Sequence, residues 1–120
     1  MSSTPLTPKA HAATDYGLMV GLVTVPRLLG LSQRAQTVFA ALGLNAGAVN
    51  ALTAQPLSVK PVISFKTHQM VDLGAMPVYF LLPAATGVTK EPRARVLWLA
   101  MTACLVVTYV LTDWDAGTDA

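Results

Sequence analysis

Apolar residues run along this chain in long stretches that contain few charged positions. No Asp, Glu, Lys or Arg occurs within residues 35–59, 73–89 or 96–112. A helix that crosses the hydrocarbon layer needs about 17–25 residues, so these stretches predict three membrane spans. Residues 14–31 form a fourth candidate, with Asp15 and Arg27 near its two ends, where an arginine side chain reaches the membrane interface.

Capping residues predict where these helices begin and end. Thr7 and Ser64 are typical N-caps, and helices are expected over residues 8–29 and 65–86. Gly30 and Gly87 suit the position just after each helix, which favours a left-handed backbone. Two further helices complete the pattern, one after Ser32 that ends before the prolines at 56 and 61, and one from residues 90–95 to about 112.

The first and third predicted helices have similar sequences. KAHAATDYG at residues 9–17 and KTHQMVDLG at 66–74 share Lys-x-His-x-x-x-Asp-x-Gly, and Leu52-Thr53 matches Leu111-Thr112 in the helices that follow. The identical pairs in the first and third helices are Lys9/Lys66, His11/His68, Asp15/Asp72, Gly17/Gly74, Met19/Met76, Pro26/Pro83 and Gly30/Gly87. Lys, His, Asp and Pro are scarce in this chain, so these matches indicate duplication.

The predicted fold class is therefore an all-α, integral membrane four-helix bundle made of two tandem helical hairpins. One membrane domain is expected, with repeat 1 over 7–55, a connecting loop over 56–63, repeat 2 over 64–113 and an acidic tail over 114–120. Two crossings return the chain to its starting side, so the hairpins are expected to be parallel, related by a pseudo-two-fold along the membrane normal.

Composition agrees with a membrane protein. The chain is 53% hydrophobic and 12% charged, whereas soluble domains carry roughly 25% charged residues. A net charge of +2 is spread thinly, which excludes a nucleic-acid footprint. The single Cys104 excludes a disulfide framework, and the first twelve residues lack the pattern of a signal peptide.

Basic residues predict the orientation of the bundle. The 31–34 and 87–95 loops and their flanks hold more Lys and Arg than the opposite face, which favours a cytoplasmic position for these short loops. The termini are then expected outside, in a multi-pass protein of the cell (inner) membrane. Trp98 and Trp114, near the two ends of the last span, are expected in aromatic belts.

The candidate chemistry lies in His11, Asp15, His68 and Asp72. Residues four apart share one face of a helix, and parallel repeats place both motifs at the same depth. Two imidazoles and two carboxylates suit a divalent metal such as zinc, and two histidines suit haem. Three interpretations stay open: local His–Asp pairs that fix the helix start, a metal or haem site, and a proton-handling cluster.

Glycines predict close helix packing. Gly17 and Gly21 on helix 1, and Gly43 and Gly47 on helix 2, have the spacing of small-residue stripes that let helices approach closely in lipid. They predict contacts either within the bundle or with a second subunit. The predicted partners are the lipid bilayer and a second copy of the chain or another membrane protein.

This pattern resembles a known family. A duplicated chain with His-x-x-x-Asp opening helices 1 and 3, and Pro-x-x-x-Gly closing them at Pro26/Gly30 and Pro83/Gly87, is similar to the small bacterial SPW-repeat membrane proteins. The similarity covers residues 7–114, although the Ser-Pro-Trp triplet itself reads Val-Pro-Arg at 25–27 and Leu-Pro-Ala at 82–84. The resemblance implies a four-helix membrane protein and no defined activity.

The sequence therefore predicts a small membrane scaffold or accessory subunit. The alternatives are a metal- or haem-binding membrane protein and a proton-coupled carrier of a small solute. Motifs for phosphate binding, nucleophilic catalysis and metalloprotease activity are absent, so enzymatic activity is not expected.

Overall fold

A computed structural model describes residues 5–117 of the chain. It contains four α-helices, α1 (Pro8–Leu28), α2 (Gln33–Ala51), α3 (Phe65–Ala85) and α4 (Pro92–Leu111), with a short 3₁₀ turn over Val88–Lys90. Within these described residues there are two isolated β-bridges and no strand. The prediction of an all-α, four-helix fold is confirmed.

The predicted caps form. The side chains of Thr7, Ser32 and Ser64 accept hydrogen bonds from the amides three residues later. Helices α1 and α3 each end one residue before the predicted limit, and Gly30 and Gly87 follow with φ of 64° and 82°. This left-handed backbone is accessible to glycine without a steric penalty, so both helices stop at the same point of the repeat.

Backbone hydrogen bonds join the hairpins at the end that holds both chain termini. The amide of Leu6, before α1, donates to Leu111 O, and the amide of Asp113 donates to Leu6 O. Ile63, before α3, makes the equivalent pair of bonds with the end of α2. The end of each second helix is thereby fixed beside the start of the other hairpin's first helix.

Arginines join the hairpins at the opposite end. Arg34 donates to Thr86 O at 3.1 Å, and Arg93 donates to Leu29 O at 3.0 Å, so each covers the last carbonyl groups of the other hairpin's first helix. Beside them the hydroxyl and the amide of Ser32 donate to the Glu91 carboxylate, and these bonds hold the pKa of Glu91 below its usual value.

The predicted glycine contacts form on α2 only. A Cβ at Gly43 would lie 2.8 Å from Leu22 Cβ and 3.1 Å from Met19 O, and Gly47 lies directly against the Met19 side chain. Gly17 and Gly21 have open space around the Cβ position. The close packing of α1 on α2 therefore depends on the α2 glycines, and the α1 stripe faces away from this contact.

Large apolar side chains cover much of the exterior. Helix α4 is long and apolar enough to cross a membrane, and only 17% of its most apolar 18-residue stretch is buried inside the protein. It is the one helix among residues 5–117 that meets this length and composition test, whereas four spans were predicted. Exposed apolar residues on α3 and α4 include Met70, Leu73, Val78, Leu81, Val96, Leu99, Val106, Val107 and Val110.

Candidate metal centre

The two His-x-x-x-Asp motifs meet between α1 and α3. One ligand atom from each of His11, Asp15, His68 and Asp72 lies within 4.8 Å of the other three. Both histidines are 1% exposed, and Asp72 is the most exposed member, with 26% of its side chain accessible. We call these four residues the tetrad.

Imidazoles and carboxylates alternate around the tetrad. His11 Nε2 lies 3.1 Å from Asp15 Oδ2 and 3.3 Å from Asp72 Oδ2. His68 Nε2 lies 3.2 Å from Asp15 Oδ2 and 3.2 Å from Asp72 Oδ1. Each histidine therefore contacts a carboxylate of its own helix and one of the other repeat, so the tetrad connects the two hairpins.

Two threonines orient the histidine rings. Thr112 Oγ1 lies 2.7 Å from His11 Nδ1, and Thr53 Oγ1 lies 2.7 Å from His68 Nδ1. Each threonine hydroxyl also donates to the carbonyl four residues earlier in its helix. A hydroxyl has one proton, so Nδ1–H must be the donor in both histidine–threonine bonds. This arrangement fixes the protonated Nδ1 of each ring and directs Nε2 into the tetrad.

His68 Nε2 has an unusual environment. It is buried, and among the described residues it has no hydrogen-bond partner, although two carboxylate oxygens lie 3.2 Å away. Neither oxygen is in hydrogen-bonding geometry with this nitrogen. A neutral imidazole with Nδ1 protonated presents a lone pair at Nε2, which is the form in which histidine binds metals.

The tetrad has the donor set of a transition-metal site. Tetrahedral ligands on bonds of 2.0–2.1 Å are about 3.3 Å apart, close to the nitrogen–oxygen distances of 3.1–3.3 Å observed here. The widest pair of ligand atoms, at up to 4.8 Å, has to move inward to bind one ion. Imidazole and carboxylate ligands suit zinc and its first-row neighbours.

The geometry does not suit haem. The centroids of the His11 and His68 rings are only 5.1 Å apart, and the two carboxylates lie against both Nε2 atoms. A porphyrin has no room between rings placed in this way. Of the two cofactors considered from sequence, the residues present fit the single metal ion.

Aromatic rings cover the tetrad on the side of the helix N-termini. The Trp114 ring centroid is 4.9 Å from that of His11 and 4.9 Å from that of Phe65, and Phe65 in turn lies 6.0 Å from His68. Trp114 is 8% exposed, so it packs inside the protein at this end of the bundle. It packs over the tetrad because the Leu6 bridge holds the residues after α4 beside α1.

Sequence reasoning missed the supporting residues. It identified the four members of the tetrad, but not Thr53, Thr112, Phe65 or Trp114. The matching Leu-Thr pairs at 52–53 and 111–112 were the available signal for the threonines. Nothing in the sequence indicates which histidine each threonine contacts, because that contact crosses between the repeats.

Comparison with protein-family models, curated proteins and solved structures returned no match to this chain.

Proposed function

We propose that this protein is a small integral membrane protein whose two helical hairpins are joined by a divalent first-row transition-metal ion bound by the tetrad. The single observation that carries the metal is the buried His68 Nε2, which has no hydrogen-bond partner among the described residues and lies 3.2 Å from a carboxylate oxygen of each repeat. This nitrogen makes no hydrogen bond of normal geometry to either carboxylate, whereas a cation bound between them would contact all three groups.

Charge balance supports the same ion. Two neutral histidines and two carboxylates carry a charge of −2, which a divalent cation neutralises within a largely buried site. Repulsion between two adjacent buried carboxylates is unfavourable, and a metal removes it. The threonine–histidine bonds supply the outer contacts that metal-binding histidines generally have.

The exterior supports membrane insertion. Many large apolar side chains project outward along α3 and α4, as expected of helices that face lipid. Asp15 and Asp72, the carboxylates within α1 and α3, face the histidines, as ionisable residues in membrane helices generally face the bundle interior. We extend the single apolar span to four crossings, with the 31–34 and 87–95 loops in the cytoplasm and the termini outside.

A static site is favoured over transport. On the other side of Tyr79 from the tetrad, the bundle is filled by buried apolar residues that include Leu22, Phe39, Leu42 and Met101. Such a core gives an ion or proton few polar groups with which to continue across the membrane. The ion in this proposal is a resident group that fixes the hairpins, and the carrier alternative has less support.

The metal-free scaffold is the second candidate. If both histidines carry two protons, two imidazoliums alternate with two carboxylates and the tetrad is neutral without an ion. The protein would then be a scaffold or accessory subunit of the type that the SPW-repeat resemblance implies. The open space beside Gly17 and Gly21 supports contact with a second copy or another membrane protein in either case.

Metal analysis of two aspartate variants distinguishes these candidates. The full chain, purified in detergent, is incubated with Zn²⁺, desalted and analysed by plasma mass spectrometry. We expect about one zinc per chain in the wild type and in Asp115→Asn, which removes an exposed carboxylate that pairs with Lys66. Asp72→Asn keeps the shape of the side chain and should lose the metal.

A folded wild type without metal would favour the scaffold instead. Helix content measured by circular dichroism shows whether each variant is folded, so loss of metal is separated from loss of structure. Insertion is tested independently, because brominated lipids in vesicles should quench the fluorescence of a chain that crosses the bilayer. A chain that is not quenched and is released from vesicles by alkaline carbonate is not inserted.

A further inference from the structure

A small cavity adjoins the tetrad inside the bundle. All four helices contribute to its wall, and its volume is about 30 Å³. His11, Asp15 and Asp72 line it on the side of the tetrad. Asn45 and Tyr79 line the far side, and the remaining wall is mostly apolar. The tetrad therefore borders a small, partly open space between the helices that has polar groups at both ends.

The volume limits what can enter this cavity. One water occupies about 10–15 Å³ on this measure, so the cavity has room for two waters or one molecule of two or three non-hydrogen atoms. A larger ligand does not fit within this volume. A ligand that lies wholly within the cavity is therefore small.

The tetrad borders this cavity on one side. Phe65 and Trp114 cover the side of the helix N-termini. Asp72, the most exposed tetrad member, lies on the cavity wall. A four-coordinate ion of this kind can take a fifth ligand, and a fifth position beside Asp72 would face the cavity.

The far wall can hold the other end of such a ligand. The Tyr79 hydroxyl donates to Leu42 O at 2.9 Å and accepts from Asn45 Nδ2 at 2.9 Å. One of the two Asn45 amide hydrogens is used in this bond, so the second is available to a ligand. A hydrogen-bond donor at this position favours an anion, or a neutral ligand that has a hydrogen-bond acceptor.

We infer that the metal has an exchangeable coordination position in this cavity, which binds a small anion or neutral molecule of two or three non-hydrogen atoms. The inference rests on the proposed metal site and adds a ligand to it. Such a position distinguishes a reactive or sensing metal from a purely structural ion with four protein ligands.

Cobalt provides the test. Co²⁺ replaces zinc in such sites, and its visible absorption changes when an external ligand binds. Azide, with three non-hydrogen atoms, should change the spectrum of the Co²⁺-loaded full chain in a saturable way, whereas benzoate at the same concentration should not. A loaded wild type that ignores azide, or responds equally to benzoate, overturns the inference while leaving the metal site intact.

Filling the cavity gives the matched comparison. Ala75→Leu places on α3 the residue that repeat 1 has at the equivalent position, Leu18, and both positions line the cavity. We expect one Co²⁺ per chain and azide binding weakened at least tenfold. Ala41→Leu makes the same change at an exposed site outside the cavity and should bind azide as the wild type does.

Retention of azide binding in Ala75→Leu would show that azide enters elsewhere, and would overturn the inference. If Ala75→Leu does not fold, Ala46→Leu fills the cavity from α2 instead. Weakened azide binding in that variant would support the inference, and retained azide binding would overturn it. A folded wild type that binds no cobalt contradicts the proposed metal site itself, so the two failures are distinguishable.

Discussion

Removing the threonine hydroxyls beside the histidines should weaken metal binding without removing a ligand. Thr112→Val and Thr53→Val replace each hydroxyl with a methyl group of similar size. Each substitution leaves the Nδ1–H of one buried histidine without its acceptor. The ring then loses the contact that holds Nε2 toward the tetrad, and the carbonyl four residues earlier loses a donor.

The expected magnitude follows from this outer contact. Loss of a hydrogen bond to a metal-binding histidine typically costs about 10–100-fold in metal affinity, or about 1.4–2.7 kcal/mol. The two threonines contact different histidines, so their effects should multiply. The double variant is expected to bind zinc about 10²–10⁴-fold more weakly than the wild type, if the two contacts act independently.

Zinc affinity is measured by competition with a fluorescent chelator in detergent, at a fixed pH. Thr102→Val is the matched control, because Thr102 makes the same bond to the carbonyl four residues earlier in α4 and contacts neither histidine. Its zinc affinity should equal that of the wild type. The helix content of all variants is recorded, so a folding defect is recognised.

Equal zinc affinities in the wild type and the double variant would refute this reasoning. That result would mean that Nε2 is positioned by packing against the aromatic rings alone, or that zinc binds outside the tetrad. An effect of the same size in Thr102→Val would mean that the loss comes from the helix and not from the histidine contact.

Three further predictions concern packing, the position of the metal and pH. Gly43→Ala should lower the free energy of unfolding by about 1–3 kcal/mol, because α1 lies too close for a methyl group. Gly17→Ala, where the Cβ position is open, should not destabilise the protein. Equal melting temperatures for the two variants would contradict this prediction. Trp98→Phe leaves Trp114, which lies against His11, as the only tryptophan of the sequence. In this variant, bound Co²⁺ should quench the tryptophan fluorescence and bound Zn²⁺ should not. Unchanged emission with cobalt bound would place the ion elsewhere. The pKa of Glu91 is lowered from its ordinary value of 4.5, so the ionised carboxylate stabilises the fold at pH values above 4.5. This contribution is lost as the pH falls through the lowered pKa of the folded protein. The difference in stability between the wild type and Glu91→Gln, measured by thermal melts, should therefore shrink toward pH 3.

Much of the local structure could be predicted from the sequence. Caps depend on short-range hydrogen bonds, so Thr7, Ser32 and Ser64 mark helix starts wherever the helices pack. Gly30 and Gly87 end helices for an equally local reason, since their backbone is left-handed. The duplicated His-x-x-x-Asp motif identified the tetrad because residues four apart share a helix face.

Contacts between the repeats could not be predicted in this way. Sequence periodicity treats the α1 and α2 glycine stripes alike, but only Gly43 and Gly47 meet another helix, because the rotation of each helix is set by the whole bundle. Trp114 follows α4 at a spacing that suits a membrane interface. The Leu6 bridge instead brings it over His11.

The sequence by itself therefore determined an all-α chain, its helix limits, its duplication and the four residues with metal-binding chemistry. Only the tertiary structure decided that each threonine contacts the histidine of the other hairpin, that the buried His68 Nε2 lies 3.2 Å from a carboxylate of each repeat, and that a cavity adjoins the tetrad. The physical reason is distance along the chain. Caps and helix faces depend on neighbours within a few residues, whereas these contacts join residues that only the packing of helices brings together.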